Sequence, residues 1–219
     1  MTKILGIDEA GRGPVIGPLV LCGYLIDEKK VSELKNLGVK DSKLLTQKKR
    51  SILMPKLKKI ADDLILLKIS AKEIDKLREI SNLNKLEIEK MQHMINLLEP
   101  DKVIIDTPEL NTKKFHEKVY CKIKNKNIEI ITENFADKKY YEVGAASIIA
   151  KVHRDIEIKK LHKKYGDFGT GYTHDPRTIK FLKDWIKMNK EFPDFVRKSW
   201  ITAIEIKNNK EQSIIKKFV

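Results

Sequence analysis

The sequence predicts an α/β fold, in which helices flank a sheet and a helical cap follows at the C-terminus. Short apolar runs that end near a carboxylate recur through the first two thirds of the chain, as buried strands do. Amphipathic stretches with capping residues lie between those runs, and after residue 165 only a glycine-rich loop and helical patterns remain. Strands that alternate with helices in this way are typical of an α/β sheet.

Each element follows from its local pattern. Strands are predicted at residues 4–7, 15–26, 64–69, 102–106 and 128–132. Helices are predicted at residues 46–60, 71–78, 82–98, 111–124, 176–189 and 199–207. A short helix is also predicted to begin near residue 31, and another helix to follow residue 137. Thr46 and Asn82 are expected to cap their helices, and Pro55 to kink or end a turn. The small residues from Gly144 to Ser147 would let their helix pack closely on the sheet.

The stretch ILGIDEAGRG, residues 4–13, places two adjacent carboxylates between an apolar strand and a glycine-rich bend. Asp8 and Glu9 can share one site only where the strand ends or kinks, because successive strand residues point to opposite faces. Buried acids need a cation or donors, so a divalent metal is their natural partner; a solvated turn is the alternative. The stretch is not a P-loop, because it lacks the Lys and the Ser/Thr of that motif. It is not a dinucleotide-binding motif either, because the G-x-G-x-x-G spacing is absent.

The composition favours a polyanionic partner. Of the 219 residues, 45 are Lys or Arg and 31 are Asp or Glu, a net charge of +14. Nucleic acid is the simplest partner for such an excess, although a basic surface can also serve solubility. Cys22 and Cys121 have no metal-binding spacing, and Cys22 lies in an apolar run, so we expect a core residue and a cytoplasmic protein. No apolar segment approaches a membrane span, and acids follow the N-terminus too early for a signal peptide.

Four carboxylates are predicted to meet at one edge of the sheet. Asp8, Glu9 and Asp106 lie at the carboxyl ends of strands, where open α/β sheets bind ligands. Asp137 precedes the small-residue helix and can reach the same edge. Together the acids would hold two Mg²⁺ or Mn²⁺ ions, a pair that catalyses phosphodiester hydrolysis. Asp106 or Asp137 alone would be interpreted as a turn or capping residue, but with the basic charge the set predicts a metal-dependent nuclease.

Five segments occur in order between Ile4 and about Trp200: GIDEAGRGPVIGP, KDSKLL, VIIDTPELNT, the stretch from ADKKY to AASIIAKVHRD, and GTGY. Together they resemble type 2 ribonuclease H in its archaeal-like, single-chain form. The resemblance implies a ribonuclease-H-like fold with a mixed five-stranded sheet and a C-terminal helical extension. It also implies cleavage of the RNA strand in RNA–DNA hybrids and nicking 5′ of ribonucleotides embedded in duplex DNA.

The resemblance further implies roles for individual residues. The implied metal ligands are Asp8, Glu9, Asp106 and Asp137. The backbone of Gly11, Arg12 and Gly13 would sense the ribose 2′-hydroxyl, which distinguishes RNA from DNA, and Tyr172 would stack on the sugar at the RNA–DNA step. Phosphate contacts are implied at Ser42, Lys43, Ser147 and Lys151.

The chain departs from the family pattern in two places. Lys138 to Tyr141 replace the common Ala-Lys-Tyr-Pro, and Thr173 and His174 replace Pro-Ser in the loop after Tyr172. Neither removes a metal ligand, but both bear on the loop conformation and on the placement of Asp137. Two alternatives remain open: another nuclease or transposase of the ribonuclease H fold, which would lack the glycine loop and Tyr172, and an inactive basic nucleic-acid-binding module, which would lack an acid.

The final residues, QSIIKKFV, resemble the peptide by which replication and repair proteins bind a sliding clamp. Gln212, Ile215 and Phe218 match that peptide, and Val219 replaces its second aromatic residue. A frayed basic terminus is the alternative.

For the whole chain we predict a monomer with a catalytic domain at 1–165, a substrate-binding cap at 166–211 and a clamp-binding tail at 212–219.

Overall fold

The computed structural model describes residues 2–39 and 45–215, with side chains described up to residue 210. Within those ranges the chain forms a five-stranded sheet from β1 (Lys3–Ala10), β2 (Leu19–Asp27), β3 (Asp63–Ile69), β4 (Lys102–Asp106) and β5 (Glu129–Glu133). The strand order is β3-β2-β1-β4-β5. Because β1 is antiparallel to β2 and parallel to β4, and β4 is parallel to β5, the predicted mixed sheet is confirmed.

Helices occupy most of the connections between these strands. They are α1 (Val31–Asn36), α2 (Gln47–Ile60), α3 (Ala71–Arg78), α4 (Leu83–Leu98), α5 (Thr112–Tyr120), α6 (Ala136–Lys139), α7 (Tyr141–Tyr165), α8 (Pro176–Met188) and α9 (Ile201–Ile215). Thr46 accepts a hydrogen bond from the Lys49 N–H at the start of α2, as predicted. Pro55 does not end α2, which continues to Ile60. No helix in the described ranges is long and apolar enough to cross a membrane.

The second predicted strand begins later than its apolar run indicates. Gly17 has a φ of +94°, and a Cβ there would lie 2.6 Å from the Ile158 side chain, so the chain turns at this residue. Val15 and Ile16 instead donate backbone hydrogen bonds to the Gly171 carbonyl at 2.9 and 3.1 Å. β2 therefore begins at Leu19.

The chain divides into two compact units. The first contains Met1–Ala10, Val20–Lys68 and Asn84–His153. The second contains Gly11–Leu19, Ile69–Leu83 and Arg154–Val219.

One hydrophobic cluster of the first unit joins β1, β2 and β4 to α1, α2 and α7. Cys22 is fully buried in it, as predicted. The close packing predicted for the small residues of α7 is also confirmed, because Ala145, Ala146 and Ser147 have no exposed surface. A Cβ on Gly6 of β1 would lie 2.4 Å from the Glu142 carbonyl carbon, so helix and strand meet backbone to backbone.

The core of the second unit combines aliphatic residues with several aromatic rings. Phe168 is fully buried, and its ring lies 5.4 Å from that of Phe181 on α8. Val15 and Ile16 join the same core, together with Val196. The segment from Gly11 to Leu19 is thus anchored to the loop that precedes α8.

Candidate active site

Two acids of the candidate site lie directly after the last paired residues of two adjacent parallel strands. The parallel pairing of β1 with β4 ends at the pair Ile7 and Ile105. Asp8 and Asp106 are the next residues on each strand, so the predicted meeting of these acids at one sheet edge is explained by register. This is the carboxyl edge of the parallel strands, where α/β sheets bind ligands.

The third acid, Asp137, is placed at that edge by a residue with a left-handed backbone conformation. Phe135 has a φ of +60° and ends the connection from β5, after which α6 begins at Ala136. The Ala136 N–H donates a hydrogen bond of 3.0 Å to Asp106 Oδ1. Asp137, the next residue, is thereby brought beside the end of β4, and its side chain is almost fully buried, with 1% exposed.

Asp8, Asp106 and Asp137 form a group of the size that a metal ion requires. One carboxylate oxygen from each lies within 4.8 Å of the others. Asp8 is buried, with 5% exposed, and Asp106 is half-buried. An all-carboxylate donor set of this kind suits hard divalent cations such as Mg²⁺ and Mn²⁺.

Glu9 is outside this three-acid group. β1 remains paired with β2 through Ala10, opposite Val20, so the strand neither ends nor kinks between Asp8 and Glu9. In a regular strand, successive side chains point to opposite faces, which separates the two adjacent acids. A ligand role for Glu9 stays a prediction.

The charged form of Asp8 is destabilised in the absence of a cation. Burial, and secondarily the neighbouring Asp106, raise the pKa of Asp8 to about 7, against the favourable influence of Lys151, Ser147 and the Glu9 N–H. A divalent ion would remove this cost, because it compensates both the lost hydration and the like charges. The electrostatics of the cluster therefore fit a bound metal.

Ser147 and Lys151 lie one turn apart on α7 beside Asp8. The Ser147 hydroxyl is fully buried and is hydrogen-bonded to the Asp8 carboxylate and to the Lys151 ammonium. Lys151 is half-buried and lowers the pKa of Asp8 by its charge. The structure thus places both predicted phosphate contacts next to a predicted metal ligand.

A second group of predicted residues lies within the second unit. Gly11 has a φ of +85°, which supplies the predicted bend after the two acids. A Cβ on Gly13 would lie 3.8 Å from the Tyr172 ring, so Tyr172 borders the glycine loop. The Tyr172 ring stacks on His174, with 5.4 Å between ring centroids.

Arg154 belongs to this second group, although the sequence did not single it out. Its guanidinium lies 5.0 Å from the centre of the Tyr172 ring and donates a 3.0 Å hydrogen bond to the Thr170 carbonyl. A Cβ on Gly11 would lie 2.6 Å from the Arg154 side chain. The available signal is spacing, since Ser147, Lys151 and Arg154 follow one helix face at steps of four and three.

Several predicted residues lie outside what the structure describes. Ser42 and Lys43 fall in the gap at residues 40–44, and Phe218 follows the last described residue. Gln212 and Ile215 belong to α9, of which only the backbone is described at those positions. The roles of all five remain predictions.

The fold and the acidic cluster define a nuclease of the ribonuclease H class. The chain belongs to the ribonuclease HII family, whose profile matches residues 5–203. It is 48% identical over 205 residues to the ribonuclease HII of Methanothermobacter thermautotrophicus, covering 92% of this chain and 97% of that protein.

Solved structures agree with this assignment. The ribonuclease H2 of Pyrococcus horikoshii matches with a TM-score of 0.90 and 44% identity, over 96% of this chain and all of that one. A PCNA:RNase HII complex from Archaeoglobus fulgidus matches with a TM-score of 0.82 and 38% identity, over 90% of this chain and 94% of that chain. The predicted fold and the predicted activity, an endonuclease of the ribonuclease H type, are thereby confirmed.

Proposed function

We propose that the enzyme hydrolyses the RNA strand of RNA–DNA hybrids and nicks duplex DNA on the 5′ side of an embedded ribonucleotide, using two divalent ions. Asp8, Asp106 and Asp137 would hold the metal, with Glu9 as the fourth predicted ligand. When bound, Mg²⁺ or Mn²⁺ would supply activation of water and stabilisation of the leaving oxygen. The observation that carries the proposal is the convergence of three carboxylates within 4.8 Å at the sheet edge.

The residues around Asp8 orient it and contact the substrate. The buried Ser147 hydroxyl fixes the Asp8 carboxylate by a hydrogen bond. Lys151 is more exposed and carries a positive charge at the same place, so we assign a scissile-phosphate contact to Lys151 and an orienting role to Ser147. Ser42 and Lys43 are proposed as further phosphate contacts on the basis of sequence.

Recognition of the ribonucleotide is assigned to the second unit. The backbone N–H groups of Arg12 and Gly13 would bond the ribose 2′-hydroxyl, and Gly11 allows the turn that presents them. Tyr172 borders that loop and would stack on the sugar at the RNA–DNA step. The Arg154 guanidinium over the Tyr172 ring stabilises the ring position by a cation–π contact.

The net charge of +14 supports a duplex substrate. Lys and Arg contacts to phosphates supply affinity without regard to sequence, whereas the 2′-hydroxyl contact selects the cleavage site. The enzyme would therefore hold any duplex and cut only a strand that contains a ribonucleotide.

A nicking assay tests this proposal. The substrate is a labelled DNA duplex with one ribonucleotide, compared with the all-DNA duplex of the same sequence and an RNA–DNA hybrid. We expect Mg²⁺- or Mn²⁺-dependent cutting that leaves a 5′-phosphate on the ribonucleotide and a 3′-hydroxyl on the preceding deoxynucleotide. Equal cutting of the all-DNA duplex, or undiminished cutting in excess EDTA, would contradict it.

The proposed partner is a ring-shaped sliding clamp. The Archaeoglobus fulgidus relative forms a complex with PCNA, and the C-terminal residues of this chain match a clamp-binding peptide at Gln212, Ile215 and Phe218. Backbone helix extends to Ile215. Residues three apart on a single turn share one side, so Ile215 and Phe218 would enter one apolar pocket. Tethering would raise the effective concentration of the nuclease on DNA.

A further inference from the structure

A buried arginine binds the outer edge of the glycine loop. Arg197 has no exposed surface. Its Nε donates a hydrogen bond of 3.1 Å to the Gly17 carbonyl, Nη1 one of 2.7 Å to the Arg12 carbonyl, and Nη2 a further bond to the Gly11 carbonyl. One guanidinium therefore binds three carbonyl groups of the segment that follows β1.

Trp200 binds the remaining carbonyl group of the glycine loop. Its Nε1–H donates a hydrogen bond of 3.0 Å to the Gly13 carbonyl. The Arg197 guanidinium lies 4.7 Å from the centre of the Trp200 ring, so the two donors also support each other. Every carbonyl of the Gly11–Gly13 loop is thus occupied by one of these two side chains.

Occupied carbonyls fix the direction of the loop N–H groups. In a trans peptide the C=O of one residue and the N–H of the next point in opposite directions. Bonds to the Gly11 and Arg12 carbonyls therefore turn the Arg12 and Gly13 N–H groups away from Arg197. Pro14 follows Gly13 and has no N–H, so the adjacent N–H groups on this side of the loop are those of Arg12 and Gly13.

The burial of Arg197 is costly, which argues for a specific role. Burial, and secondarily the nearby Arg154, lower the pKa of Arg197 to about 9, so the group remains charged at neutral pH. A buried charge is stabilised only when its donors are satisfied, and here they are satisfied by the loop carbonyls. If these carbonyl groups were exposed to water, solvent would accept the role of donor and a buried arginine would not be required.

We propose that Arg197 and Trp200 are positioning residues for ribonucleotide recognition: by holding the loop carbonyls, they set the Arg12 and Gly13 N–H groups in the direction needed to bind a ribose 2′-hydroxyl. The inference rests on the proposed function, in which that loop reads the sugar. Neither side chain contacts the substrate in this role. Both act through the peptide planes of the loop.

The test compares two Trp→Phe variants that each lose one indole donor. Trp200→Phe removes the bond to the Gly13 carbonyl and keeps an aromatic ring. Trp185→Phe is the matched control, because its Nε1–H donates a 3.0 Å bond to the Glu191 carbonyl in the same unit. We expect kcat at a single ribonucleotide to fall about fivefold for Trp200→Phe, with KM within about twofold, and to stay within about twofold for Trp185→Phe.

Arg197→Lys provides the second test. Lys keeps the charge but cannot reach three carbonyls in the planar arrangement of a guanidinium. We expect a larger fall in kcat than for Trp200→Phe, while the Mn²⁺-induced rise in melting temperature matches wild type, because no carboxylate has changed. The melting temperature without metal shows that each variant is folded.

The outcomes separate this inference from the function on which it rests. If wild type fails to nick the ribonucleotide duplex, the proposed function is wrong. If wild type nicks it and Trp200→Phe retains the kcat of Trp185→Phe, the positioning role is wrong and the proposed function stands. A loss of Mn²⁺ stabilisation in Arg197→Lys would also overturn the inference, because the defect would then lie at the metal site.

Discussion

The Ala136 N–H donates a hydrogen bond of 3.0 Å to Asp106 Oδ1, and this bond joins the end of β4 to the first residue of α6. It fixes one oxygen of a carboxylate that contributes to the three-acid group. An asparagine at this position retains a carbonyl oxygen that can accept the same bond. Removal of the charge can therefore be separated from removal of the structural contact.

Asp106→Asn is expected to lower kcat by about a thousandfold or more while affinity for an RNA–DNA hybrid stays within about threefold. The variant loses an anionic metal ligand, whereas the basic contacts to phosphate remain. Asp101→Asn, just before β4, is the control, since the Asp101 carboxylate accepts a bond from the Lys3 N–H and is outside the three-acid group. Near-wild-type turnover of Asp106→Asn in Mg²⁺ would contradict the assignment.

Tyr172→Ala is expected to reduce nicking at a single ribonucleotide about tenfold or more, with little loss of affinity for all-DNA duplex. Aromatic stacking on a nucleotide contributes about 1–3 kcal/mol, whereas duplex affinity comes from charge. Tyr172→Phe retains the ring and should retain most of the activity. Electrophoretic mobility shifts and nicking rates measured together decide the point: an equal loss of both would argue against a junction-reading role.

Asp8→Asn is expected to stabilise the metal-free protein at alkaline pH. The pKa of Asp8 is raised from 3.8 to about 7 by burial and by Asp106. Between those values the folded protein holds a proton that the unfolded chain releases, so stability falls as pH rises and the full cost is present above pH 7. In EDTA at pH 8 we expect the variant to melt about 5 °C higher, which corresponds to ~2 kcal/mol. This is about half of the ~4 kcal/mol that the pKa shift implies, because the buried amide of the variant also loses hydration.

The pH dependence provides the control for this variant. Near pH 4 wild type and Asp8→Asn should melt at similar temperatures, because the carboxyl is protonated when folded and costs little. Added Mg²⁺ should stabilise wild type more than the variant, which has lost a ligand. A variant that melts no higher than wild type in EDTA at pH 8 would show that burial of the Asp8 carboxylate does not destabilise the protein.

Gly6→Ala is expected to destabilise the protein by about 3 kcal/mol. Its Cβ would lie 2.4 Å from the Glu142 carbonyl carbon, and a backbone neighbour cannot move aside as a side chain can. Gly23→Ala on β2 is the matched control, since its Cβ would meet the Met94 sulfur at 3.3 Å and the Leu5 side chain at 3.4 Å. Urea unfolding should therefore show a clearly smaller loss for Gly23→Ala. Equal losses would mean that α7 and β1 are not in tight backbone contact.

Phe218→Ala is expected to abolish binding to the cognate sliding clamp in a calorimetric titration. The aromatic residue is the anchor of the proposed peptide, whereas the neighbouring Lys217 is not part of its pattern. Lys217→Ala should bind the clamp within about threefold of wild type. If Phe218→Ala binds as tightly as wild type, the C-terminal residues are not a clamp-binding peptide.

Elements with a complete local signal could be predicted from the sequence. β4 and α3 have the predicted bounds, because an apolar run ending in Asp106 and a capping box between Ser70 and Glu73 define their ends locally. The start of β2 could not be predicted from its apolar run, since the turn at Gly17 depends on contact with Ile158, far along the chain. α5 ends at Tyr120, before the predicted residue 124.

The residues of the candidate site also differ in whether a local sequence signal could predict them. Asp8 and Asp106 follow apolar strands, so their meeting could be predicted from parallel pairing alone. Arg197 could not be found, because an arginine in a polar C-terminal segment is ordinarily exposed and its partners lie 180 to 186 residues earlier. Gln92 of α4 is similar: it is buried because its side-chain amide binds the last carbonyls of α5, at Lys118 and Val119.

The two cysteines differ in a way that is useful for chemistry on the intact enzyme. Cys22 is buried in the core, and burial raises the pKa of its thiol, whereas Cys121 is exposed at the end of α5. Thiolate reagents such as maleimides need an accessible sulfur, so they should attach at Cys121 and spare Cys22. The natural sequence would thus be labelled with a single fluorophore per molecule. Binding of the labelled enzyme to a labelled duplex could then be followed without altering any residue of the candidate site.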